Sequence, residues 1–159
     1  MYFNNLKELR NDNDYTQQDI AKKLDVNRFT YKNWENGIVM IPIDIADKLS
    51  VFYNVKLSYI LGIDKSSKID YKVKDLKYDK LLYNLSKLKK EHNNSYEEIG
   101  AYIGCARSTC QRYFKGIVKI PMDRLVLLSE LYEIDIDELC CKKWLKNIDL
   151  FLKKQYSFW

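Results

Sequence analysis

An all-helical chain made of two copies of one small domain is predicted by three features of the sequence. Glycine (5) and proline (2) are scarce among 159 residues, which disfavours a turn-rich sandwich or barrel and favours helices on short loops. Shifting the sequence by 79 positions aligns about 58 residues without a gap, with about 15 identities. Leu6, Leu9, Ile20, Arg28, Thr30, Leu49 and Tyr53 then fall on Leu85, Leu88, Ile99, Arg107, Thr109, Leu128 and Tyr132, and Gly37-Ile38-Val39-Met40-Ile41-Pro42 on Gly116-Ile117-Val118-Lys119-Ile120-Pro121. Helical start and stop signals recur at matching places in both copies.

In the first copy, Phe3, Leu6, Leu9 and Arg10 form a helical stripe that ends near Asp12-Asn13-Asp14. Thr16 is the N-cap of a second helix, with Asp19 a weaker stand-in for the capping-box Glu; Ile20, Ala21 and Leu24 make its apolar face. Asp25-Val26-Asn27 is a tight connection to a third helix, whose Thr30, Tyr31 and Trp34 face inward and whose left-handed stop is Gly37. Asp44 is read as the cap of a fourth helix carrying Ile45, Leu49 and Phe52. Asn54-Val55 turns the chain into a fifth with Leu57, Ile60 and Leu61 before Gly62. The second copy repeats the series with Ser95 and Glu98 as a capping box, Gly116 as stop and Asp123 as the fourth cap.

The expected units are therefore residues 1–62, a polar linker 63–79 rich in Lys, Asp and Ser and partly helical at its end, residues 80–141, and a C-terminal segment 142–159. In that last segment Trp144, Leu145, Ile148, Phe151, Leu152 and Tyr156 recur at helical spacing among five lysines, the pattern of a basic amphipathic helix. Three readings of it stand: packing on the second copy, self-association into a homodimer, and a phosphate-contacting arm or membrane-surface helix.

Apolar residues (47%) suffice for packed cores, so disorder is excluded as the main state. The net charge of +5 is concentrated in residues 63–80 and 142–159, while the two copies are nearly neutral; a polyanionic partner is compatible with this but not established by it. No apolar run approaches the roughly 20 residues of a membrane span, and the first residues lack signal-peptide features. A cytoplasmic location, no membrane partner and four reduced cysteines are expected. Cys105, Cys110 and Cys140 occupy positions that are apolar in the first copy (Val26, Tyr31, Leu61) and read as small buried hydrophobes. Cys141 aligns with Gly62, and redox sensing through Cys140 or Cys141 is the other reading of that pair. The cysteine spacings do not suit zinc, His92 has no nucleophile pattern around it, and no carboxylate pair, triad or phosphate-cradling loop occurs. No metal, cofactor or enzymatic activity is expected.

Thr16 to Gly37 is a helix, a three-residue turn and a second helix, the arrangement that lays one helix in the roughly 12 Å major groove while its neighbour braces the backbone. Thr16-Gln17-Gln18-Asp19-Ile20-Ala21-Lys22-Lys23-Leu24-Asp25-Val26, Trp34-Glu35-Asn36-Gly37 and Leu49 through Gly62 resemble the Cro/repressor-type (XRE family) helix-turn-helix domain. The resemblance implies a lambda-repressor-like five-helix fold, specific binding to double-stranded DNA and action as a dimer on paired half-sites. Carried over, Gln17 touches phosphate or a base edge; Asn27, Arg28, Phe29, Lys32 and Asn33 face the groove; and Asn36 contacts the backbone. These side chains suit guanine acceptors, adenine edges and thymine methyls. The matching positions in the second copy are Ala106, Arg107, Ser108, Gln111, Arg112 and Lys115, with Tyr96 in place of Gln17 and Phe114 in place of Glu35, departures that bear on phosphate clamping there. The loop Ile38–Ile43 is apolar where many relatives carry Lys or Arg, and only Lys119 restores a charge in the second copy.

The two reading faces share only Arg28 and Arg107, so the chain is expected to recognise an asymmetric site as a built-in pseudo-dimer. A linker of about 15 residues spans roughly 45–50 Å, more than the roughly 34 Å between half-sites on one face of DNA, and covalent linkage then supplies avidity. The expected function is a prokaryotic or phage transcriptional regulator, a repressor acting by occlusion. The alternative is a protein-interaction module, such as an antitoxin or anti-repressor, on a degenerate helix-turn-helix fold.

Overall fold

A computed structural model describes residues 4–67, 69 and 71–141; the expectations for Phe3 and for 142–159 lie outside these residues. Ten helices follow in order: α1 (Leu6–Asp12), α2 (Gln17–Lys23), α3 (Arg28–Glu35), α4 (Ile43–Tyr53), α5 (Leu57–Ile60), α6 (Tyr78–Glu91), α7 (Tyr96–Ile103), α8 (Arg107–Phe114), α9 (Met122–Leu131) and α10 (Ile136–Leu139). No strand occurs among the described residues. Helices α1–α5 make the first five-helix unit and α6–α10 the second.

Local chemistry sets the helix starts. At α2 the Thr16 Oγ1 accepts from Asp19 N–H (3.2 Å) while Asp19 Oδ2 accepts from Thr16 N–H (2.9 Å). The capping box expected to be weak is thus complete, because the shorter Asp side chain still reaches back one turn. Ser95 and Glu98 form the same box at α7. The expected caps Asp44 and Asp123 are corrected. The caps of α4 and α9 lie two residues earlier, at Pro42 and Pro121, whose fixed φ and extended ψ set up the first turn. Ile43 and Met122, both buried, are drawn into that turn by the core, which leaves the two aspartates in the first turn rather than at the cap.

In the first unit Leu6, Leu9, Ile20, Ala21, Tyr31, Trp34, Ile43, Ala46, Leu49, Leu57 and Ile60 fill the core. Thr30 is only half-buried, and Phe52 is exposed rather than inward. The buried face of α4 runs through Ile43, Ala46, Leu49 and Ser50, which turns position 52 outward. There its ring packs on Tyr15 and Tyr53 under Lys23 Nζ. Gly37 and Gly116 end α3 and α8 with φ of 64° and 68°. A Cβ at Gly116 would also lie 2.7 Å from Leu82 Cδ1. Gly116→Ala is therefore expected to cost about 1–2 kcal/mol, read as a lowered melting temperature.

The polar segment between the units is a strap rather than a free tether. Val73 is buried, its N–H donates to Asn54 Oδ1 (3.0 Å), and Leu76 N–H donates to both Asp47 carboxylate oxygens (3.1 Å). Two apolar residues in a run of Lys and Asp suffice to anchor it on α4. The units themselves pack together, and their buried side chains form one continuous cluster. The contact is made by α5 and α10, where Asp137 accepts from Leu57 N–H (2.7 Å) and Ser58 N–H (3.0 Å). Under the 79-residue shift, Ser58 and Asp137 are equivalent positions. The equivalent helices of the two units therefore meet at the junction, but its hydrogen bonds run one way, from α5 to Asp137.

Candidate nucleic-acid interface

In each unit a capped helix (α2, α7) precedes the helix that would enter a groove (α3, α8), and the second helix leaves one side in solvent. On α3, Arg28, Phe29 (69% exposed) and Lys32 are exposed, Asn33 is half-buried, and Asn36, the C-cap, is exposed. On α8, Arg107, Ser108 and Arg112 are exposed, Gln111 is half-buried, and Lys115 closes the helix in solvent. Asn27 and Ala106 are the N-caps of these helices. Asn27 Oδ1 accepts from Thr30 N–H (2.7 Å) and from the Thr30 hydroxyl (3.0 Å), which leaves the amide NH2 as the end that can donate outward. The opposite face of α3, with Tyr31 and Trp34, is in the core, so packing sets which residues face out.

Beneath the first surface lies a polar chain that the sequence reading did not assemble. Arg10 of α1 donates from Nε (2.8 Å) and Nη2 (3.0 Å) to the two oxygens of Glu35, and from Nη1 to Tyr15 O. Gln17 Nε2 donates to Glu35 Oε1 (3.2 Å), and Gln17 Oε1 accepts from Arg28 Nε (3.4 Å). Gln17 is thus half-buried at the front of α2, between the buried ion pair and the exposed Arg28. The Glu35 side chain is 2% exposed. Desolvation works to raise its pKa, but the bonds donated by Arg10 and Gln17 and the charge of Arg10 outweigh it, so the carboxyl titrates below its ordinary range. Burial pushes the neighbouring Tyr31 phenol up.

The second unit replaces this chain with rings. Lys89, Tyr96 and Phe114 stand at the positions of Arg10, Gln17 and Glu35. Lys89 Nζ lies 4.5 Å from the Tyr96 ring centre, and Tyr96 meets Phe114 edge-on at 5.5 Å. Aromatic packing holds α7 to α8 where an ion pair ties α1 to α3 and the Gln17 amide ties α2 to α3. The signal for this was available: three positions that change together under the 79-residue shift are read as neighbours. After each of these helices come exposed apolar residues, Ile38 (61%) and Val39 (50%) in one unit and Ile117 (63%) in the other. Lys119 turns away from the second unit's surface to pair with Asp44 of the first.

The family model for helix-turn-helix proteins matches residues 6–60 and again 85–139, the same stretch displaced by 79. The chain belongs to the helix-turn-helix family. The helix-turn-helix regulator ImmR of Bacillus subtilis is 40% identical over 63 residues, covering 40% of this chain and 50% of its own length. The cryptic phage CTXphi transcriptional repressor RstR of Vibrio cholerae is 28% identical over 74 residues, covering 46% and 66%. A solved transcriptional regulator from Listeria innocua shares 31% identity over 47% of this chain and 70% of its own, with a TM-score of 0.38. The chain thus spans half the length of the first of these helix-turn-helix relatives.

Cys110 and Cys140 are buried as expected; Cys105, expected to be buried with them, is only half-buried, as is Cys141. Asn84 Nδ2 donates to Leu139 O and to Cys141 Sγ. His92 is exposed and packs edge-on against Tyr132. No helix among the described residues is long and apolar enough to cross a membrane.

Proposed function

We propose that this protein is a sequence-specific transcriptional repressor of bacterial or phage type that works in the cytoplasm and reads one asymmetric DNA site with α3 and α8. The observation that carries the reading is the α5–α10 junction, which joins within one chain two units that each present an outward helix of different sequence. Gln17, Asn27, Arg28, Phe29, Lys32, Asn33 and Asn36 serve the first half-site. Arg107, Ser108, Gln111, Arg112 and Lys115 serve the second. Arg28, held from behind by Gln17 and Glu35, is the donor best placed for a guanine edge. Occupying such a site blocks polymerase without any further activity.

Selection of genomic fragments by the full chain at about 0.15 M salt, followed by footprinting, tests the proposal. Enrichment of a single two-part, non-palindromic motif supports it; footprints that never extend beyond about 5 base pairs sink the tandem reading. Binding should weaken steeply with salt, and Lys115→Ala should lower the slope of log K against log salt by about 1 if that lysine meets phosphate. Exposed Phe29, Ile38, Val39 and Ile117 favour a second reading, a protein partner seated on these loops. Binding that is indifferent to salt and to DNA would select it.

A further inference from the structure

We propose that Asp137 is a positioning residue that fixes the separation of α3 and α8, and through it the spacing between the two half-sites. The inference rests on the tandem reading above. Asp137 is 2% exposed, and both of its oxygens are committed to the other unit, to Leu57 N–H and Ser58 N–H, which are themselves buried. Those amides open α5, whose own N-cap, Lys56, offers no side-chain acceptor. At the equivalent place in the second unit, Asp135 accepts from Asp137 N–H (2.7 Å), so α10 caps itself while α5 borrows its carboxylate across the junction. Sliding one unit along the other while the junction stays closed therefore leaves two amides and a carboxylate buried without partners, a cost that sliding an ordinary apolar contact does not carry. Among the described residues, the ion pair of Lys119 with Asp44 also links the units, but it joins side chains that are 66% and 51% exposed, and solvent screens it. The strap, pinned to α4 at Asn54 and Asp47, and the shared apolar core hold the units together as well; Asp137 adds the buried, directional link between them.

The test compares the full chain with Lys56→Asp/Asp137→Ala on a DNA library in which the spacing between the two selected half-site sequences is varied. The first substitution gives α5 a local cap of the kind Asp135 gives α10, and because it also removes the Lys56–Asp64 ion pair, Lys56→Asp alone is run beside the double variant so that the difference reports Asp137. The wild type is expected to prefer one spacing by about tenfold over spacings a few base pairs away, and the variant by about twofold or less, with the half-site sequences unchanged. A variant that melts like the wild type and keeps the same narrow preference would overturn the role of Asp137 alone. A wild type that selects no two-part motif would overturn the tandem reading, and the spacing role with it. Should the double variant not fold, Asp137→Asn, which keeps one acceptor, is read on the same library by the same criterion.

Discussion

Arg28→Ala combined with Asn33→Ala is expected to weaken binding to the selected site by at least about a hundredfold, roughly 3 kcal/mol, while the melting temperature hardly moves. Both side chains lie on the outward part of α3, and the core face of that helix, Tyr31 and Trp34, is left as it was. Surface changes of this kind shift stability by about 0.5 kcal/mol or less. Arg28 makes one long bond to Gln17, so removing it frees only the Oε1 of a half-buried amide that keeps its bond to Glu35. The pair of measurements separates recognition from folding, and unchanged affinity with unchanged melting would mean that α3 does not read the site. Arg107→Ala with Arg112→Ala is the same experiment for α8, and its effect should be confined to the other half of the motif.

Arg10→Met should destabilise the first unit by about 3–5 kcal/mol, because it leaves Glu35 charged and unpaired where its side chain is 2% exposed. The triple change Arg10→Lys, Gln17→Tyr and Glu35→Phe installs the set that the second unit already uses, Lys89, Tyr96 and Phe114. It should cost less than half as much as the single change, since no charge is stranded. The pH dependence has a definite sign. The folded Glu35 binds its proton less readily than the unfolded chain does, so its stabilisation is full above the ordinary carboxylate range and is lost as the pH falls through and below it. Glu35→Gln should flatten that limb of the stability–pH curve, and chemical denaturation across the acid range reads it directly.

What could be seen in the sequence was whatever depends on neighbours along the chain. Thr16, Ser95, Gly37 and Gly116 announce helix ends through bonds and dihedrals that span a few residues, and the structure uses all four as expected. Asp44 and Asp123 carried the same local signal and were misread. The deciding force there was the burial of Ile43 and Met122, which acts across the unit. Phe52 was misread for a similar reason: helical spacing shows that a stripe exists, but the neighbours on α2 and α5 choose which side of α4 it occupies. Val73 and Leu76 lie in a run of Lys and Asp, and the acceptors for their amides, on Asn54 and Asp47, stand 19 and 29 positions earlier. Arg10 and Glu35 meet across 25 residues, and Asp137 and Leu57 across 80, so no spacing rule brings them together.

The α5–α10 junction also bears on how the protein responds to its own abundance. Two reading helices supplied by separate chains must first find each other, so occupancy of the site climbs with the square of concentration while the chains are scarce. In the proposed tandem reader both helices belong to one chain whose units are joined through Asp137, so no association step would be needed to bring them together. Occupancy by such a reader would rise in simple proportion to the number of molecules. A device of that kind gives up the steep threshold of a self-assembling pair and gains a graded response at low expression. Because its two halves need not be identical, it is also released from palindromic targets.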